Sequence, residues 1–332
     1  MKKKLLSLVL CLAMMITCLA GCGGAGASSG VKTYKVGVAI YQFDDNFMTL
    51  YRNEIESYFA ALGEQNGKTY ELSMVDGKND MATQTNQIDT FITQGMDVII
   101  LNCVQTSSAD VLIDKIVAAD IPLVLINREP LGDNGDESYA GILDNAGVCY
   151  VGADARQSGT YQGEIVLALD DKGDINGDGK VSYVMIQGDP ENPDAQYRTQ
   201  FSIKALTDAG MEVEELANQV GMWATDKGQE IAATALSQHG DAVEVIFCNN
   251  DGMALGAAAA IEAAGRKVGE DIYLLGVDAL EECQQMVAEG TMTGTVLNDH
   301  IGQSHTAVDV AIKALNGEAI DNYYWVDYVM IK

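Results

Sequence analysis

The stretch YKVGVAIYQFDDNFM, Tyr34–Met48, couples an almost wholly apolar run to an acidic turn and the start of an amphipathic helix. A strand that is apolar on both faces belongs inside a parallel sheet covered by helices, and Asp45 and Asn46 are residue types that cap helix N-termini. The same unit recurs along the chain. YELSMVD, DVIILNCV and PLVLINR read as strands, with helices at 47–62, 81–94 and 109–119. KVSYVMIQG, MEVEELA, AVEVIFCNN, IYLLGVD and TGTVLND follow, separated by helices near 195–209, 226–238, 253–264 and 280–289; a last helix, 301–315, precedes YYWVDYVMI. Strands alternating with crossover helices define an α/β fold with parallel sheets, and about 300 residues is long for one such sheet, so two domains are expected. Residues 131–147, LGDNGDESYAGILDNAG, are the most loop-like stretch.

Ligands of open α/β sheets sit beyond the carboxyl ends of the strands. Here those ends read YQFDDNF, NCVQ, QGDPENPDAQYR, CNNDGM, GVDAL and LNDH, rich in Asp and Asn with one Arg. Carboxylate, amide and guanidinium groups present donors and acceptors in fixed directions and hold neighbouring hydroxyls, while the rings of Phe47 and Trp223 suit the apolar C–H faces of a sugar. Taken singly, each has a plainer reading: Asp45 and Asp194 as helix starts, Phe47 and Trp223 as core. One cleft accounts for all of them together.

The N-terminus has three lysines, an apolar run from Leu5 to Leu19, and Leu19-Ala20-Gly21-Cys22. This is the layout of a secretory signal peptide over residues 1–21, and the cysteine directly after it resembles the lipidation site of bacterial lipoproteins. GGAGASSG then reads as a flexible tether, residues 22–33 forming the anchor and its leash. Removal of the three leader lysines leaves 17 basic against 48 acidic residues, a formal charge of −31. That balance argues against nucleic acid as a partner, because phosphates require a positive surface. Cys103, Cys149, Cys248 and Cys283 are far apart in sequence and form no CxxC motif, and read as buried thiols.

The run DINGDGKVS, Asp174–Ser182, begins like an EF-hand calcium loop, with oxygen-bearing side chains at alternate positions and a glycine after the third. The twelfth position, where a bidentate Glu belongs, is Met185. Catalytic constellations are missing: His300 and His305 are not at i,i+4 spacing, no G-x-S-x-G elbow follows a strand, the pattern's one match falling in the tether at Gly26–Gly30, and no complete P-loop occurs. A glycosidase would need one acid of raised pKa; Asp45, Asp194 and Asp278 stand among amides and an Arg, which is expected to keep them ionised.

YQFDDNFM, PDAQYR, NNDGMALGA, GVDAL and GTVLND, in this order, resemble the periplasmic glucose/galactose-binding protein family of bacterial sugar ABC transporters, across Tyr34 to Tyr328. The resemblance implies two doubly wound parallel-sheet lobes joined by a three-crossing hinge, the type I periplasmic binding fold. The N-terminal lobe would comprise 34–124 plus 299–323 and the C-terminal lobe 125–298 plus 324–332, with crossings near 122–128, 298–300 and 323–327. Lys332 follows soon after the third crossing, which implies a C-terminal lobe lacking its last element. Carried over by position, Asp45, Asn102, Asp194, Arg198, Asn250, Asp278 and Asn298 would hydrogen-bond a hexose, D-galactose or D-glucose, between Phe47 and Trp223. Asn192 stands where the family has a histidine, so it joins the expected contacts as a departure from the pattern. The family closes its nine-residue calcium loop with a distant glutamate, here Glu244. The implied ligands are Asp174, Asn176, Asp178, the backbone oxygen of Lys180, Ser182 and Glu244, around a structural Ca²⁺; Ser182 is shorter than the family's glutamine. The implied protein is no enzyme but a monomer anchored by Cys22 at the outer face of the cytoplasmic membrane. It would serve an ABC permease, with a chemoreceptor or sensor kinase as alternative readers of the bound form. A DNA-binding regulator shares this fold but would need a helix-turn-helix where the leader stands.

Overall fold

The computed structural model describes residues 31–130 and 147–332. The expected signal peptide, Cys22, the tether up to Gly30 and nearly all of the 131–147 segment lie outside the described residues.

The first strand, β1 (Thr33–Ile40), sends Val36, Val38 and Ile40 to one face and Ala39 to the other, and both faces are covered. Helix α1 (Asn46–Asn66) begins where Asp45 accepts the Met48 N–H at 2.7 Å and ends at Gly67 in the left-handed region. The pattern continues through β2 (Thr69–Asp76), α2 (Met81–Gln94), β3 (Val98–Leu101), α3 (Ala109–Ala118), β4 (Leu123–Ile126) and β5 (Val148–Gly152). With β11 (Tyr323–Trp325) these strands form a parallel sheet in the order β11-β5-β4-β3-β1-β2. Helix α1 and helix α9 (His300–Leu315) cover one face; α2 and α3 cover the other.

The second lobe is built from α4 (Ala155–Leu167), β6 (Lys180–Gln187), α5 (Pro193–Asp208), β7 (Glu212–Val220), α6 (Thr225–His239), β8 (Val245–Cys248), α7 (Asp251–Ala263), β9 (Tyr273–Leu275), α8 (Glu281–Glu289), β10 (Thr295–Leu297) and β12 (Val329–Ile331). Its parallel sheet runs β7-β6-β8-β9. Bridges at Leu275–Gly294 and Asp278–Leu297 continue it to β10, which pairs antiparallel with β12. Thr33–Lys332 form one compact unit.

Two boundaries differ from expectation. The first crossing was expected near 122–128, yet β4 and β5 share the N-terminal sheet, so the chain leaves it only after Gly152. The third expected boundary, at 323/324, divides β11, which lies wholly in the N-terminal sheet; the chain passes over between Trp325 and Val329. The second crossing falls between Leu297 and His300, as expected. The expected crossing came from the resemblance alone, and the segment that follows it holds β5 and α4, neither of which was read as an element; α4 carries Gly159 and Gly163 on its buried face, where they press against α5. A Cβ at Gly163 would come within 2.5 Å of the Ala205 Cβ.

Candidate functional site

Both sheets reverse their winding next to a central strand, and the carboxyl ends at those points face one pocket. Tyr41, Asp45, Phe47, Met48, Asn127 and Arg128 come from the N-terminal lobe; Asn192, Asp194, Arg198, Trp223, Asn250 and Asp278 come from the other, with Asn298 at the second crossing. The free space left between these groups is narrow, about 30 Å³.

Most polar groups are fixed by helix starts. Asp45 caps α1 with one carboxylate oxygen and accepts the Tyr41 hydroxyl at 2.7 Å with the other. Asn192 caps α5 by accepting the Asp194 N–H at 3.0 Å, with Pro193 in the first helical turn. Asn250 caps α7 through the Met253 N–H at 3.0 Å and donates to the Trp223 carbonyl at 3.2 Å. The capping reading and the binding reading thus describe the same side chains: the cap holds each of them at the pocket wall.

Arg198 organises the C-terminal wall. It donates to the Asn249 carbonyl at 2.8 Å, to Asp194 at 3.1 Å and to the Tyr328 hydroxyl at 3.0 Å, and stands 3.9 Å from Asp278. Burial alone would lower its pKa, but Tyr328, Asp194 and Asp278 hold it above its ordinary value. Asp194 is pushed up to about 6 by burial, against the pull of Arg198 and Arg128. Asp278 is also raised well above the usual carboxylate range by burial, again opposed by Arg198. The expectation that the neighbouring Arg would keep these groups ordinary acids is corrected here: desolvation outweighs attraction. Asn298 donates to Asp278 at 3.3 Å and accepts from Gln303 at 2.6 Å, which fixes its amide.

Trp223 depends on a missing side chain. A Cβ at Gly188 would lie 2.2 Å from its ring, so only glycine lets the indole lie there. Three lining residues, Asn127, Trp223 and Asp278, hold the backbone at φ of 61°, 67° and 119°, a conformation that costs energy for a non-glycine residue and is kept only where the surroundings fix it.

Of the expected contacts, only Asn102 does not line the pocket. Its Oδ1 accepts from the Tyr41 N–H at 3.3 Å and its Nδ2 donates to the Ile126 carbonyl and Asn127 Oδ1, both at 3.1 Å. Asn102 is consumed in holding Asn127, which takes the place at the pocket. Tyr41, Met48, Asn127 and Arg128 went unread in the sequence. For the last two a signal existed, since INR ends the strand run PLVLINR as NCV ends its neighbour.

The acidic loop is also gathered. Asp174 accepts the N–H groups of Gly177, Asp178 and Gly179 within 3.0 Å, and Asn176 accepts that of Asp178 at 2.8 Å. Glu244 reaches the loop from the start of β8, accepting the Asn176 N–H at 2.9 Å and the Ser182 N–H at 2.8 Å. It is 1% exposed, and such a carboxylate ordinarily has a cation beside it. Lys180, whose ammonium is paired with Glu214, does not serve as one. All six donors are oxygens, the chemistry Ca²⁺ takes. Among the described residues no three Asp, Glu, His or Cys side chains cluster closely enough to hold a metal, Asp174, Asp178 and Glu244 included.

Cys103, Cys149, Cys248 and Cys283 are free and buried, as expected. His305 meets Glu54 at 2.7 Å, and His300 stands edge-on to Phe47. Among the described residues no helix is long and apolar enough to cross a membrane.

Two wound α/β lobes with a polar, aromatic-lined pocket at their facing strand ends define a solute-binding protein of the type I periplasmic fold. The chain belongs to the periplasmic binding protein family, whose domain matches residues 36–319. It is 34% identical over 300 residues to the D-galactose/methyl-galactoside binding periplasmic protein MglB of Haemophilus influenzae, covering 89% of this chain and 86% of that one. A putative rhizopine-binding protein of Rhizobium meliloti is 31% identical over 306 residues, 92% of each chain. Among solved structures, an ABC transporter solute binding protein from Bacillus halodurans with bound myo-inositol superposes with a TM-score of 0.77 at 27% identity, over 92% of this chain and 96% of that one.

Proposed function

We propose that this protein binds a hexose, D-galactose or D-glucose, between its lobes and delivers it to an ABC permease at the outer face of the cytoplasmic membrane. The observation that carries the reading is the pocket itself: every expected contact except Asn102 lines it, from both lobes. Caps and buried ion pairs hold those groups in fixed directions, as recognition of ring hydroxyls demands. Sugar contacting both lobes favours the closed form, and that differential contact is what a permease or a sensor protein reads. Binding alone suffices for this role, and no catalytic chemistry is assigned to the three aspartates.

Ca²⁺ held by Asp174, Asn176, Asp178, the Lys180 carbonyl, Ser182 and Glu244 would tie the loop to β8 and contribute stability. Lipidation of Cys22 would keep the protein at the membrane; a Cys22→Ser protein released into the medium is the expected outcome, and one retained on the membrane contradicts the anchor. Ring polyols such as myo-inositol are the second reading, favoured by the ligand of the Bacillus halodurans neighbour. Trp223→Ala and Asp194→Ala should each weaken hexose binding at least about tenfold, the loss of roughly one strong contact. Unchanged affinity in both variants would place the ligand elsewhere.

A further inference from the structure

Arg128 belongs to none of the residues anticipated for the site, yet it is 1% exposed at the end of β4 and lines the pocket. Its Nη1 donates to the Val104 carbonyl at 2.7 Å within its own lobe and to Asp189 Oδ2 at 3.1 Å, and Asp189 follows β6 in the opposite lobe. Its guanidinium lies 3.7 Å from the centre of the Tyr41 ring. Nε is buried and has no protein acceptor, and the same holds for Nε of Arg198, the other guanidinium in the lining.

We infer that Arg128 is a ligand-binding residue which also latches the two lobes, through Asp189, in the closed form. A buried charged donor without a partner is costly, and a hydroxyl of the bound ligand is the acceptor that completes it. The bond to Asp189 spans the lobes, so it forms only as they close. Both interactions come from one rigid planar group held by Val104 and Tyr41, which makes ligand contact and closure reinforce one another. The Thr106 hydroxyl donates to the Glu191 carbonyl at 2.8 Å and Ser107 to the Glu191 carboxylate at 3.2 Å, so the N-terminal lobe also grips the β6–α5 turn beside the latch. Lysine would not reproduce the arrangement, because a single ammonium lacks the fork that reaches Asp189 and the ligand in different directions.

This inference rests on the proposed closing of the cleft around a sugar. The test combines calorimetric titration with small-angle scattering on the parent, Arg128→Met, Arg128→Lys and Asp189→Asn, with galactose, glucose and myo-inositol as probes. Arg128→Met should weaken binding roughly 10- to 100-fold, the loss of hydrogen bonds to a charged group, and lysine should not restore it. Asp189→Asn, on the other lobe, should weaken binding and reduce ligand-induced compaction while leaving the melting temperature of the ligand-free protein near that of the parent. Parent-like affinity and compaction in Arg128→Met, or in Asp189→Asn should the first fail to fold, overturns the latch. If the parent itself binds none of the probes, the proposed function fails. The latch, which rests on that closing, is then overturned with it.

Discussion

Asp194 is pulled in opposite directions by its surroundings. Burial raises its pKa to about 6, while Arg198 at 3.1 Å favours the ionised form. Two pH dependences of opposite sign follow. If the carboxylate is the form that accepts ligand hydroxyls, affinity is constant well above pH 6 and weakens below it as protons compete, by about tenfold at pH 5. Stability of the ligand-free protein moves the other way. A carboxyl whose folded pKa lies above its unfolded value takes up protons more readily when folded, so its contribution is largest at low pH and is lost as pH rises through the folded value. Asp251, buried beside the Thr295 hydroxyl and the Leu280 N–H, is raised to about 7 by burial and adds to that stability trend without lining the pocket. Titrations from pH 5 to 8 check the first sign, and Asp194→Asn should flatten the profile; an affinity that improves on acidification contradicts the assignment. At this scale the sequence was a good guide to which residues meet, because strand-end position and capping chemistry are local. It was a poor guide to their ionisation, which depends on how much protein closes over them, and to Asn102, whose amide is committed to Asn127.

The loop of Asp174–Ser182 illustrates what can be read at the level of an element. Its alternation of oxygen-bearing side chains is local and legible; its closure by Glu244 is not, since Glu244 lies 62 residues beyond Ser182. Only the resemblance supplied that partner, and the structure shows Glu244 bonded to the loop at two points. If calcium completes the site, chelation should lower the melting temperature by roughly 5 °C, the order expected for losing a ligand present far above its dissociation constant. Added calcium should restore it, and Glu244→Gln should abolish the difference. A melting temperature indifferent to chelator and calcium would leave the loop a turn. β5 and α4 mark the opposite case. ARQSGTYQGEIVL buries glycines and polar residues against α5, so it does not show the periodicity that identifies an amphipathic helix, and the strand VCYVG before it was not read.

Among the described residues, three crossings, between Gly152 and Ala155, Leu297 and His300, and Trp325 and Val329, connect the two sheets. Their facing strand ends supply opposite walls of one pocket, so a ligand small enough to fit must touch both lobes to be held. The paired contacts of Arg128 with Asp189 and of Thr106 with Glu191 record the lobes in a closed arrangement. The two-lobed α/β architecture was legible because buried parallel strands and crossover helices announce themselves in sequence. The location of the hinge was not, because it is defined by which strands pair. The most direct test of the central claim is calorimetric titration of the protein, with calcium present, against galactose, glucose, ribose and myo-inositol. One-to-one binding of galactose or glucose, with the pentose and the cyclitol much weaker, is the predicted result. A folded protein that gives no heat with either hexose would contradict it.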